Sequence, residues 1–221
     1  KFVTQEDLLV AFETVIAGTE KKNTVLSEKE KRLVAYHEVG HALVSALEKQ
    51  DTPVSKITIV PHTEGSLGYT LYLPEEEKFL NTADELRTEL KTLVGGRAAE
   101  QVVFGVQTTG ASNDISRATE TARKMVMKYG MSDELGPIAF GSDHDEVFIG
   151  RDFGTMRNYS EEIAAKIDKE IRAIVDKAYA KACEILREKS DKVTEVAEYL
   201  LAREKFENEF PGYEGDIHGI T

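Results

Sequence analysis

Apolar residues recur at three- and four-residue steps in most of the chain, and this spacing predicts amphipathic helices. The helical stretches cover residues 4–17, 28–48, 82–93, 114–129, 160–189 and 191–204. Two shorter stretches, 54–60 and 67–73, are rich in β-branched and aromatic side chains, which predicts the strands of a hairpin. The pattern therefore predicts a mainly α fold with a small β-hairpin or sheet and a C-terminal helical bundle.

Between the periodic stretches, the sequence predicts breaks. Gly95 and Gly96 are expected to interrupt the helical run before it continues over residues 97–104. The glycine-dotted segment 131–154 predicts a loop with a short strand near Val147.

The polar stretch 19–24 predicts a linker, and residues 206–221 predict a loose tail with low apolar content. We therefore expect a leading fragment, 1–24, a main domain, 25–205, and the tail, 206–221. Because the chain opens on Lys1 without an initiator methionine, we also expect it to be a piece of a longer protein.

Composition limits the function classes. The net charge of −12 argues against a nucleic-acid partner. The single cysteine, Cys183, allows no internal disulfide and is typical of a reducing compartment. No apolar run approaches the length of a membrane span, so the chain itself is expected to be soluble, and it has no Walker-type loop for ATP.

The chemistry is concentrated in His37-Glu38-Val39-Gly40-His41, an instance of H-E-x-x-H inside the second predicted helix. Residues four apart lie on one face of a helix, so His37 and His41 can bind one metal ion, and zinc suits imidazole ligands. Glu38 is the candidate general base for a zinc-bound water. Gly40 costs about 1 kcal/mol relative to alanine inside a helix, so we expect another backbone or the substrate to approach it closely.

A catalytic zinc site needs a third protein ligand. In the metzincin pattern the third ligand is a histidine six residues after the second, and that position holds Leu47 here. In the thermolysin-like pattern the third ligand is a glutamate on a later helix, but the candidate at that distance, Glu64, falls in the predicted hairpin turn. Two carboxylates remain, Asp114 at a helix start and Glu100 in GGRAAE, and the residue chemistry favours Asp114 over Glu100 by about two to one. The alternative roles are a helix cap for Asp114 and an ion pair with Arg97 for Glu100.

Four motifs in order, AYHEVGHALV, GGRAAE, TTGASNDISRAT and GMSDELGP, resemble the protease domain of the FtsH family of membrane-anchored, ATP-dependent zinc metalloproteases. The resemblance covers residues 1 to about 205, and the first 24 residues resemble the end of the family's AAA module. It implies a helical zincin-type protease domain, one Zn²⁺ held by His37, His41 and Asp114, and Glu38 as the catalytic residue.

The resemblance further implies that ATP binds only in an upstream AAA module, outside this chain. The full-length protein would be a homohexamer that degrades unfolded, short-lived or membrane proteins. It would be held in the bacterial cell membrane by an N-terminal anchor, with this domain facing the cytoplasm. Two other hypotheses are a non-catalytic assembly module with a structural metal and a free-standing peptidase without an ATPase. A structural zinc site needs four ligands, and only three good ones are visible.

Overall fold

The computed structural model of the chain describes residues 2–21, 26–48, 53–63, 66–73, 78–141 and 158–207. Within these ranges lie the helices α1 (Gln5–Ala17), α2 (Glu28–Leu47), α3 (Ala83–Leu93), α4 (Gly95–Ala99), α5 (Ser112–Met127), α6 (Glu161–Glu188) and α7 (Ser190–Arg203). The strands β1 (Val54–Thr58), β2 (Tyr69–Tyr72) and β3 (Lys205–Glu207) form one antiparallel sheet in the order β2-β1-β3. The predicted mainly α fold with a small sheet is confirmed.

The starts of three helices follow directly from local sequence. Thr4, Ser27 and Thr82 are N-caps of α1, α2 and α3, and each accepts a hydrogen bond from the backbone amide three residues on. The acidic side chain at that third position bonds back to the backbone amide of the cap. These reciprocal bonds are complete capping boxes, which satisfy amides that a helix start otherwise leaves unpaired.

Helix α2 forms the centre of the fold. Its residues from Ala35 to Ser45 are all buried, and it packs against α3, α4, α6, α7 and the sheet. The HEVGH segment is therefore held on all sides, which fixes the direction in which its histidines point.

The expected close approach to Gly40 is confirmed. A Cβ atom on Gly40 would lie 2.5 Å from the backbone oxygen of Gly95, and one on Gly95 would lie 2.8 Å from the backbone oxygen of Gly40. The two glycines thus allow α2 and α4 to cross backbone to backbone. The predicted interruption of the helical run is present but falls at Val94, between α3 and α4, and the two glycines that were expected to cause it lie inside α4.

The sheet differs from the sequence prediction in three ways. β1 ends at Thr58 rather than at residue 60, β2 covers only Tyr69–Tyr72 of the predicted 67–73, and β3 was not predicted. β3 pairs with β1, with Phe206 opposite Ile57 and both side chains buried. Residues 206 and 207 therefore belong to the sheet and not to a tail. The strand predicted near Val147 and the tail from residue 208 onward lie outside the described residues.

Candidate metal centre

Three side chains from two helices meet at one point. His37 and His41, one turn apart on α2, have their Nε2 atoms 3.1 Å from each other. Asp114, in the first turn of α5, places its Oδ2 atom 3.3 Å from Nε2 of His37 and 3.4 Å from Nε2 of His41. The two imidazole nitrogens and the carboxylate oxygen form a nearly equilateral triangle.

The other nitrogen of each histidine determines which tautomer is present. Nδ1 of His41 lies 2.8 Å from the backbone carbonyl of Thr92, which can only accept, so this nitrogen carries the proton. Nδ1 of His37 lies 2.9 Å from Oε1 of Glu100 and donates to that carboxylate. In the neutral ring, each Nε2 therefore carries a lone pair that is directed at the other histidine and at Asp114.

Three electron-pair donors this close to one another repel unless a positive charge, from a metal ion or a bound proton, lies among them. Tetrahedral zinc with ligands at about 2.0–2.1 Å places neighbouring ligand atoms about 3.3–3.4 Å apart, and the three measured separations lie at or close to this value. The histidines are buried and Asp114 is half-buried, so solvent does not compete strongly for these atoms. The residues present fit a zinc ion.

The electrostatics favour a cation at this point. Burial disfavours the protonated form of His37 and by itself lowers its pKa. The hydrogen bonds to Asp114 and Glu100 outweigh burial and raise the pKa of His37 to about 10. Burial also opposes ionisation of Asp114, but hydrogen bonds from His37 and His41 hold the pKa of its carboxyl well below the usual range. In the absence of metal, a proton on His37 therefore supplies the positive charge.

Glu38 lies beside the triangle and is buried. Its Oε2 atom is 3.0 Å from the hydroxyl of Thr70 on β2, and its backbone oxygen is 3.1 Å from the same hydroxyl. Burial raises the pKa of Glu38, while the two histidines and Thr70 oppose the increase. A carboxylate with a raised pKa, held in one orientation next to a metal centre, can accept and return a proton.

The structure places Glu100 behind His37 rather than in the triangle. Its carboxylate accepts hydrogen bonds from Nδ1 of His37 and from the backbone amide and hydroxyl of Thr108. These bonds outweigh burial and lower the pKa of Glu100, so it stays ionised. The expected ion pair with Arg97 is present at 3.5 Å, but the stronger contact is with His37. A carboxylate behind a ligating imidazole orients the ring and raises its basicity.

Some features of the centre were missed at the sequence level. Thr70 and the carbonyl of Thr92 come from β2 and α3, and no local motif marks them. Gly96 leaves room for the His37 ring, because a Cβ atom there would lie 2.4 Å from Nε2 of His37. The GG pair preceding RAAE was the available signal, since two adjacent glycines inside a helix require a packing reason.

The centre opens onto a cleft. Besides the four central side chains, it is lined by residues 66–72 of β2 and the segment before it, by the start of α3 and by Arg117 of α5. β2 is an edge strand, because only β1 pairs with it in the described part of the chain. Residues of this edge strand line the cleft.

Comparison with known proteins agrees with this geometry. Residues 24–210 match the model of peptidase family M41. The ATP-dependent zinc metalloprotease FtsH of Thermotoga maritima is 49% identical over 207 residues, which cover 94% of this chain and 34% of that protein.

Two further relatives give the same result. FtsH 1 of a Thermoanaerobacter species is 48% identical over all of this chain and 36% of its own length, and FtsH of Clostridium perfringens is 50% identical over 92% of this chain and 28% of its own length. The chain spans about a third of the length of the curated relatives it matches.

Proposed function

The chain belongs to peptidase family M41, and from this premise we propose that it is the zinc endopeptidase part of a longer ATP-dependent protease. The observation that carries the proposal is the triangle of two Nε2 atoms and one Oδ2 atom, 3.1–3.4 Å apart. His37, His41 and Asp114 would hold one Zn²⁺ through these atoms. Bound there, zinc would supply Lewis acidity toward water and toward the scissile carbonyl.

Glu38 acts as general base and acid in this proposal. It removes a proton from the water that attacks the scissile carbonyl carbon, and it returns the proton to the departing nitrogen. Thr70 holds the carboxylate toward the reacting atoms, and the surrounding burial keeps bulk water from competing for its proton. Glu100 acts through His37 as a positioning residue.

The substrate would bind as an extended strand along the edge of β2 that does not pair with β1. An added strand is held by main-chain hydrogen bonds, which carry little information about side chains. Because Thr70 in β2 contacts Glu38, a peptide on this edge would pass directly over the base. This arrangement suits unfolded polypeptides of varied sequence, which are the substrates we propose.

The remaining proposals concern the longer protein. The names of its relatives indicate ATP-dependent proteolysis, and we propose that ATP is bound by an AAA module upstream of this chain. Residues 1–24 would belong to the end of that module and its linker, and residues 25–205 to the protease domain. We further propose a homohexamer anchored in the bacterial cell membrane with this domain facing the cytoplasm. No described helix is long and apolar enough to span a membrane.

The experiment that tests the peptidase proposal compares the wild-type chain with Glu38→Gln. Both should contain one zinc per chain by elemental analysis, because Glu38 is not a ligand. The wild type should cleave unfolded casein, and the variant should lose about 10²-fold or more of that rate because it lacks the general base. A Glu38→Gln chain that retained zinc and full activity would overturn the mechanism.

A further inference from the structure

Tyr72 ends β2 with a hydroxyl that is buried and has no hydrogen-bond partner among the described residues. Buried hydroxyls are usually paired, because an unpaired one loses its hydrogen bonds to water without replacement. The ring packs against the core, a role that phenylalanine would fill without the penalty. The oxygen therefore requires an explanation other than packing.

The position of Tyr72 connects the hydroxyl with the metal centre. Side chains of a strand alternate between its two faces, so Tyr72 lies on the same face as Thr70, the residue that contacts Glu38. Tyr72 also lines the cleft together with His37, Glu38, His41 and Asp114. Tyr72 is thus part of the cleft wall, and its buried hydroxyl lies within reach of the charges of Glu38 and Asp114, just behind the surface at which the scissile peptide bond would lie.

The hydroxyl is available as a donor at every pH at which the protein would work. Burial raises the pKa of Tyr72, and the charges of Glu38 and Asp114 raise it further, while Arg117 opposes them. The phenol therefore keeps its proton. A neutral donor in a site shielded from water is the kind of group that stabilises negative charge as it develops in a transition state.

We infer that Tyr72 is a further catalytic residue, whose hydroxyl donates a hydrogen bond to the scissile carbonyl oxygen as that oxygen becomes negatively charged. The inference rests on the peptidase function proposed above. In the free protein the hydroxyl finds no partner within the described ranges, which costs stability, and in the transition state it gains one. Binding that is stronger in the transition state than in the ground state is what accelerates a reaction.

The test compares wild type with Tyr72→Phe. The variant should contain the same amount of zinc and should have an equal or higher Tm, because it lacks an unpaired buried hydroxyl. Its kcat for a casein-derived peptide should fall by about 10²-fold with little change in KM. Tyr179→Phe is the matched control, since the hydroxyl of Tyr179 on α6 is also buried but lies outside the cleft, and its kcat should be unchanged.

A binding measurement provides a readout independent of turnover. A phosphinic peptide, whose tetrahedral anion resembles the transition state, should bind Tyr72→Phe more weakly by about the same factor as the loss in kcat/KM. The reduced-amide (CH2–NH) peptide of the same sequence, which has no carbonyl oxygen at this position, should bind both proteins equally.

Three results would overturn the inference. They are a kcat of Tyr72→Phe within about twofold of wild type, an equal loss of affinity for both peptides, and an equal effect of Tyr179→Phe. The peptidase proposal would survive any of them as long as the wild type cleaves the peptide. Failure of the wild type to cleave while containing zinc would overturn both proposals.

Discussion

Nδ1 of His37 lies 2.9 Å from Oε1 of Glu100, a residue 63 positions further along the chain. This contact joins α2 to the segment that follows α4 and fixes the orientation of the His37 ring. Glu100 also opens a single turn of π-helix, Glu100–Phe104, a feature that often occurs at functional sites. The carboxylate that was the alternative to Asp114 as a metal ligand thus orients His37 instead.

Glu100→Ala should weaken zinc binding by about 10- to 100-fold, because His37 loses the acceptor that fixes its tautomer. The zinc affinity can be measured by competition with a chelator of known affinity. The control is Glu120→Gln, which changes an exposed carboxylate on α5 and should bind zinc like the wild type. A loss of all zinc in Glu100→Ala, with Asp114→Asn unaffected, would instead identify Glu100 as the ligand.

Gly96→Ala should displace the His37 ring, because the new methyl group would lie 2.4 Å from Nε2, the metal-directed atom. We expect zinc affinity to fall by about tenfold or more. Gly40→Ala provides the comparison, since its methyl group would instead meet the backbone oxygen of Gly95 and should mainly lower the Tm. The prediction fails if Gly96→Ala binds zinc as tightly as wild type.

Zinc binding should release at least one proton per ion near pH 7.5, one of them from His37 and a further fraction from the zinc-bound water, whose pKa is about 7. The raised pKa of His37, about 10, means that the metal-free ring is protonated at this pH and must lose its proton to bind zinc. Asp114, with its lowered pKa, is already ionised and releases none. Titration calorimetry in buffers of different ionisation enthalpy measures the number of protons released per zinc ion. Heats that did not depend on the buffer would contradict the prediction.

Thr70→Val should shift the acid limb of the pH profile of kcat/KM to higher pH. The hydrogen bond from Thr70 stabilises the charged form of Glu38 and lowers its pKa, so removing the bond raises that pKa and protonates the base at a higher pH. Thr70→Ser keeps the hydroxyl and should restore the wild-type profile. An unshifted profile in Thr70→Val would show that this contact does not affect the base.

Much of the fold could be predicted because its signals are local. The caps at Ser27 and Thr82 and the apolar spacing of α2 and α6 depend only on neighbouring residues. β3 was missed because it has three residues, and its strand character comes from pairing with β1 rather than from its own composition. Gly95 and Gly96 were misjudged for a related reason, since the helix crossing that requires Gly95 and the His37 ring that requires Gly96 are both tertiary contacts.

In the metal centre, too, the residues with a local signal could be predicted, and those placed by tertiary packing could not. His37 and His41 follow from helical spacing, which places both on one face. Residue chemistry favoured Asp114 over Glu100 as the third ligand but could not decide between them, because each is a carboxylate brought to His37 from a distant part of the chain. The two sit on opposite nitrogens of the same ring. Only the packing of α4 against α2, and of α5 against α3 and α6, determines which one faces His41.

The most direct test of the central claim is the zinc content and casein cleavage of Asp114→Asn, measured beside wild type and the exposed control Asp133→Asn. We predict one zinc per chain and cleavage for the wild type and the control, and loss of both in Asp114→Asn, because an amide is a poor substitute for a charged ligand. If Asp114→Asn retained its zinc and its activity, the metal centre assigned to His37, His41 and Asp114 would be contradicted.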